Sequence, residues 1–198
     1  MQPLPRSFYV RPALQVARDL LGKHLVRKFG KNLLVGKIVE VEAYCPGDPA
    51  SHAYRGRTKR NDVMFWDGGH LYVYFTYGMH FCANVVTERQ GKGEAVLVRA
   101  VEPLVGIQFM LRNRFPRQTL FERNTCFNLT NGPAKFCQAF QISKAENGTD
   151  LTGSKIFIAE AEPIPSTQIV RTSRIGIRAG KDLLWRYYLR NNDWVSHR

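Results

Sequence analysis

Between Leu33 and Tyr44 the β-branched residues Val35, Val39 and Val41 fall at odd positions, and Glu40 and Glu42 fall between them at even ones. Successive side chains of a strand point to opposite faces, so this segment reads as a strand that buries one face and carries two carboxylates together on the other. Taken alone, each glutamate reads most simply as a solvated strand residue. A second alternation sets Leu71, Val73 and Phe75 against Tyr72, Tyr74 and Thr76. After Tyr77-Gly78-Met79-His80, a further β-rich run extends from Phe81 to Thr87, which predicts a hairpin with an aromatic tip.

Around these strands the chain is punctuated differently. Pro12, then Leu14, Ala17, Leu20 and Leu21, with Gly22 beyond, predicts a short amphipathic helix with a proline start and a glycine stop. The stretch Cys45 to Asp67 is rich in Pro, Gly, Asp and basic residues, and Phe65 with Trp66 gives its far end an apolar anchor. That pattern predicts a long structured loop, the kind of segment that tends to carry function. Ala95 to Val101 reads as a strand, Leu104 to Arg114 as a basic helix, and Asn131-Gly132-Pro133 as the start of a helix running to Phe140. Lys155 to Ala159 and Ile175 to Ile177 are further short strand candidates. Strands and helices do not alternate regularly, so the pattern favours an α+β fold over a doubly wound sheet.

Charge narrows the function classes. Lys and Arg number 29 against 16 Asp and Glu, a net charge of +13, which makes an anionic partner the first expectation. No apolar run approaches the roughly 20 residues of a membrane span, and Met1 to Arg11 lacks a signal peptide's apolar stretch. The chain is therefore expected to be intracellular, in cytoplasm or nucleoid if bacterial and in the nucleus if eukaryotic. Cys45, Cys82, Cys126 and Cys137 are widely spaced, with no Cys-x-x-Cys pair, so they are expected to be reduced thiols and not zinc ligands.

Val39-Glu40-Val41-Glu42-Ala43-Tyr44 is followed by His52, Asn61, Met64-Phe65, Leu71-Tyr72-Val73-Tyr74 and Tyr77-Gly78-Met79, then by Asn84 and Leu97-Val98-Arg99-Ala100. Asn131-Gly132-Pro133-Ala134-Lys135, Cys137-Gln138-Ala139 and Arg174-Ile175-Gly176-Ile177 continue the series. In this order the motifs resemble the alkyladenine (3-methyladenine) DNA glycosylase family of the mammalian type. The resemblance implies one mixed domain over residues 1–198, with an antiparallel curved sheet, flanking helices and a protruding β-hairpin. It also implies a monomer that flips a damaged purine out of double-stranded DNA and hydrolyses its glycosidic bond, with no metal and no nucleotide cofactor.

Residue by residue, the resemblance makes Glu42 the catalytic carboxylate, with Glu40 on the same face as internal competitor. A carboxylate beside the anomeric carbon can offset oxocarbenium charge and take a proton from water. Arg99, flanked by apolar strand residues, is either an ordinary paired arginine or, by the resemblance, the residue that holds the attacking water beside Glu42 with help from the Ile177 carbonyl. Tyr44, His52 and Tyr74 are implied to sandwich the base, Ala50 and His52 to read its edge, and Asn84 to exclude guanine; a structural amide is the plain alternative for Asn84. Tyr77 is implied to fill the vacated stack, supported by Met79. Arg55, Arg57, Lys59 and Arg60 are candidates for phosphate contacts, with Arg112, Arg114 and Arg117 downstream. Two positions depart from the mammalian pattern: His80 stands in place of Tyr, and Arg178 in place of Gly. A non-catalytic binder of damaged DNA or structured RNA is the rival reading.

Overall fold

A computed structural model describes residues 1–118 and 127–196. Its frame is a sheet of eight antiparallel strands, β1 (His24–Phe29), β2 (Asn32–Tyr44), β3 (Leu71–Thr76), β4 (His80–Thr87), β5 (Glu94–Val105), β6 (Ile156–Ala159), β7 (Ile169–Thr172) and β8 (Arg186–Leu189). The order across the sheet is β3-β4-β5-β2-β1-β6, while β8 pairs with both β2 and β7. Strand β2 is the spine. One of its edges pairs with β5 from residue 35 to 44; the other is shared between β1, at residues 32–37, and β8, at residues 40–42. That division and the bulges between β2 and β5 curve the sheet.

The two faces have different fates. Val39, Val41 and Ala43 of β2 join Val96, Val98 and Ala100 of β5, Ala83 and Val85 of β4 and Leu71 and Val73 of β3 in one buried core. That face is covered by helices α2 (Ala13–Leu20), α3 (Ile107–Arg114) and α4 (Pro133–Ala139), while the single turn α1 (Arg6–Tyr9) adds Tyr9. Close packing is visible at Gly36, where an added Cβ would stand 2.9 Å from a Val101 methyl and 3.0 Å from the Phe140 ring. The opposite face carries Glu40, Glu42 and Tyr44, as the alternation in β2 predicts.

The predicted helix around Pro12 to Leu21, the hairpin, the long loop after Tyr44 and the helix from Pro133 are all present. Within the long loop, a short 3-10 turn at Asp62–Phe65 buries Val63, Met64 and Phe65 against Tyr72, Val86 and Ala95. Several elements differ from the sequence reading. The helix expected from Leu104 begins at Ile107, because β5 continues to Val105 and Gly106 turns the chain at φ 80°. A Cβ at Gly106 would lie 2.5 Å from the Leu34 side chain, so no other residue fits the turn without displacement. Ile175 to Ile177 is not a strand: Gly176 adopts φ 76°, and the Ile175 N–H bonds a carboxylate instead of a ladder carbonyl. The edge of β2 beside it is taken by β8, which with β1 and β7 was not apparent from the periodicity. Cys45, Cys82 and Cys137 are free thiols, and Cys126 lies outside the described residues.

Candidate active site

Register assembles the site. Glu42 of β2 stands opposite Leu97 of β5, Leu97 opposite Asn84 of β4, and Asn84 opposite Tyr72 of β3. One row of side chains therefore crosses four strands and forms the floor of a cavity of about 390 Å³. That size lies within the ~300–1,000 Å³ common for small-ligand sites. The next residues along the strands, Tyr44, Tyr74, Cys82 and Arg99, also line it. Arg99 follows Leu97 by two residues, so alternation along β5 puts it on the cavity face while Val98 and Ala100 enter the core; the β2–β5 ladder is irregular beside it, with Val39 and Arg99 both left out of the pairing.

The two glutamates are both fully buried, and their surroundings separate them. Glu40 does not line the cavity, and its carboxylate is saturated. Oε1 accepts from Arg99 Nε at 2.9 Å, Arg186 Nε at 2.7 Å and Ser196 Oγ at 2.9 Å, and Oε2 accepts from the Ser196 N–H at 2.7 Å. Glu42 lines the cavity. Its Oε1 accepts from the Ile175 N–H at 2.7 Å and lies 3.2 Å from Arg99 Nη1; its Oε2 accepts from the Tyr44 hydroxyl at 3.0 Å. Burying two carboxylates is tolerable only with such partners. Burial opposes the Arg99 charge, but the Glu42 and Glu40 carboxylates outweigh it and hold its pKa above the ordinary arginine value. Glu40 thus anchors an arginine whose Nη1 faces Glu42, while its Nη2 donates to Ser196 Oγ at 3.3 Å.

Aromatic groups form the wall. The His52 and Tyr74 ring centres are 4.4 Å apart, and His52 Nδ1 lies 3.0 Å from the Tyr72 hydroxyl. Partial burial, reinforced by the Arg60 charge, lowers the His52 pKa, so the imidazole is neutral near pH 7. Burial pushes the Tyr72 phenol up to about 12 and raises Tyr44 and Tyr74 further, so all three remain neutral. Asn84 donates from Nδ2 to the Tyr72 carbonyl at 3.1 Å, which fixes the amide between two strands while leaving it on the cavity floor. Asn84 is thus a structural amide bridging two strands that also lies on the cavity floor.

Every sequence candidate for catalysis, water positioning or base binding converges here, with Tyr77. Glu42, Arg99, Tyr44, Ala50, His52, Tyr74, Asn84, Tyr77 and Ile177 line the cavity. Tyr77 and Met79 project from the hairpin tip, 83% and 71% exposed. Tyr77 holds φ 51° and Gly78 φ 68°, a left-handed pair at which Asn-Gly is the usual choice, so an aromatic residue there is conformationally costly. Arg55, Arg57, Lys59 and Arg60 are exposed in the long loop beside His52; Arg57 is paired with Asp62 at 2.6 Å. His80 pairs with Thr76 at the base of the tip, and exposed Arg178 does not line the cavity. The sequence reading missed the buried pair Asp48–Arg174 and the contribution of Arg186 and Ser196. Arg174 stood inside a motif, but nothing local marks Asp48 as its partner, 126 positions away. Among the described residues no three His, Cys, Asp or Glu side chains are grouped to hold a metal ion, and no helix is long and apolar enough to cross a membrane.

A family model described as methylpurine-DNA glycosylase matches residues 7–193. The chain belongs to that family. A protein of Carboxydothermus hydrogenoformans is 55% identical over 194 residues, covering 98% of each chain, and is provisionally named a 3-methyladenine DNA glycosylase. Relatives with the same provisional name occur in Methanoculleus marisnigri, 46% identical over 198 residues with 98% and 99% covered, and in Desulfitobacterium hafniense, 45% identical over 202 residues with 99% of each covered. Every cavity-lining residue falls inside the stretch that matches the methylpurine-DNA glycosylase family; Ser196, which ties the C-terminal segment to Glu40, falls outside it.

Proposed function

We propose that the protein is a monofunctional DNA glycosylase that rotates alkylated or deaminated purines out of duplex DNA and hydrolyses their glycosidic bond. The observation that carries this reading is the asymmetry of the buried glutamates: Glu40 is saturated and away from the cavity, whereas Glu42 opens onto it beside Arg99. In this reaction the bond between C1′ and the purine nitrogen breaks with its electron pair leaving on the base. Water adds its oxygen to C1′ and gives a proton to Glu42, whose charge also offsets the oxocarbenium character of the sugar. Arg99 and the Ile177 carbonyl hold that water, and Tyr44, His52 and Tyr74 stack on the extruded base. Asn84 bars guanine at the floor, and Ala50 with His52 reads the base edge.

Tyr77, with Met79, fills the gap left in the duplex and repays part of an unstacking cost of a few kcal/mol. The exposed Arg55, Lys59 and Arg60, with Arg57 held by Asp62, supply phosphate contacts to double-stranded DNA. No amine nucleophile is needed, so strand cleavage is not part of the activity, and one copy of the chain carries every group named. The test incubates the protein with duplexes carrying 3-methyladenine, 7-methylguanine, hypoxanthine or ethenoadenine and then cleaves abasic sites with alkali. Strand breaks at lesions support the reading. Tight lesion binding without any break would instead support the non-catalytic binder.

A further inference from the structure

Arg174 stands where a charge can act on the pocket without touching its contents. Its side chain and that of Asp48 are fully buried. Both Nη atoms grip the Asp48 carboxylate, Nη2 at 2.9 Å from Oδ1, and Nη1 also donates to the Ala43 carbonyl at 3.1 Å. Nε has no partner, so hydrogen bonding alone does not explain the position of the guanidinium. Its central carbon lies 4.7 Å from the centre of the Tyr44 ring and 5.2 Å from that of Trp185. Tyr44 lines the cavity and Arg174 does not, so the cation lies against a cavity-lining ring without itself lining the cavity.

An aromatic face attracts cations through the negative potential of its quadrupole. A cation already stacked on one side draws on that potential and repels a second cation on the other side. The Asp48 carboxylate bound to the guanidinium cancels part of this effect. Purines alkylated on a ring nitrogen carry a positive charge, whereas hypoxanthine and ethenoadenine are neutral, so the stacked pair acts on the two classes differently.

We propose that Arg174 and Asp48 form an electrostatic specificity element acting through Tyr44, which weakens the preference for cationic purines and admits neutral damaged bases to the same pocket. This rests on the glycosylase reading and assigns Arg174 as a positioning residue, since it touches no substrate. The opposite charges of the two residues give opposite expected signs. Arg174→Gln removes the cation against the ring and raises the affinity for 7-methylguanine relative to hypoxanthine, on the order of threefold to tenfold, the size of one cation–π contact. Asp48→Asn leaves the cation uncompensated and lowers the same ratio. Arg174→Lys keeps a charge against the ring and restores the ratio toward wild type.

The measurement is a gel-shift titration of duplexes bearing 7-methylguanine or hypoxanthine on a 2′-fluoro sugar, which slows hydrolysis by opposing oxocarbenium character. A loosened pocket weakens both lesions together and moves the ratio alike in both variants; ratios that do not move, or move in the same direction, overturn the proposal. Should either single variant fail to fold, the double variant Arg174→Gln/Asp48→Asn exchanges the buried ion pair for a neutral one, a change such pairs commonly tolerate. Its ratio must rise; an unchanged ratio overturns the proposal. Wild-type protein that binds neither lesion above undamaged duplex would refute the glycosylase reading itself, a result distinct from two unmoved ratios.

Discussion

Truncating Tyr77 to alanine isolates the wedge, because its side chain contributes little to the fold. It is 83% exposed, belongs to no buried cluster, and is followed by Gly78, around which a Cβ would meet nothing within 4 Å. Alanine also keeps the backbone under the same left-handed constraint, so the unfolding free energy should change by no more than about 0.5 kcal/mol. Binding should behave differently. Stacking of a base on an aromatic side chain contributes about 1–3 kcal/mol, which at ~1.4 kcal/mol per decade is roughly a fivefold to 150-fold loss of lesion affinity. Affinity for undamaged duplex, held by phosphates, should stay nearly constant, so the specificity ratio falls by the same factor. Gel-shift titrations on lesion and undamaged duplexes measure the ratio, and 2-aminopurine placed beside the lesion reports unstacking. The loss should shrink opposite a mismatch, where less unstacking work remains. An unchanged fluorescence rise together with an unchanged ratio would refute the wedge role.

Glu40→Gln should lower the unfolding free energy by about 3 kcal/mol or more, because Arg99 and Arg186 lose a buried counter-charge; an unshifted denaturant midpoint would show the cluster to be dispensable. Affinity for undamaged duplex should fall with salt at a slope of about −0.9 per phosphate neutralised, and Lys59→Ala should make that slope shallower by about 1; a flat titration would remove the basic-face argument. His52 should titrate below about 6.5 by NMR. Because its pKa is depressed in the folded chain, the fold loses stability as pH falls below the unfolded value, whereas His52→Gln should lack that loss; parallel pH curves for the two proteins would contradict the partial burial of the ring.

The strand carrying the glutamates was legible because β-branched residues at alternate positions mark a half-buried surface, and the hairpin because its two runs flank a turn tetrapeptide. The motif order then located Glu42, Arg99 and the aromatic wall. Local pattern could not reveal that Arg99 lies beside both glutamates, since which residues face each other across β2 and β5 is a property of two strands. Nor could it show that Glu40 is saturated, because its donors Arg186 and Ser196 come from the far end of the chain. Strand β8 was hidden for a related reason: four residues are too short to display a period, and pairing with the β2 edge is what extends them. The expected strand at Ile175 failed where a carboxylate outcompeted a ladder carbonyl for one N–H. The misread segment lines the cavity, and Arg174 of the unseen pair packs against its Tyr44 from outside.

Glu42 is the residue on which the account depends. Glu42→Gln keeps the side-chain shape and can still accept from the Ile175 N–H, but it can neither take the proton of water nor offset charge on the sugar. Single-turnover release of a damaged purine, measured beside a gel-shift titration of the same duplex, separates chemistry from binding. Release should fall about 10²–10⁴-fold, the usual worth of a positioned general base, with lesion affinity nearly intact. Release within about tenfold of wild type would contradict this and make Glu40 the first alternative.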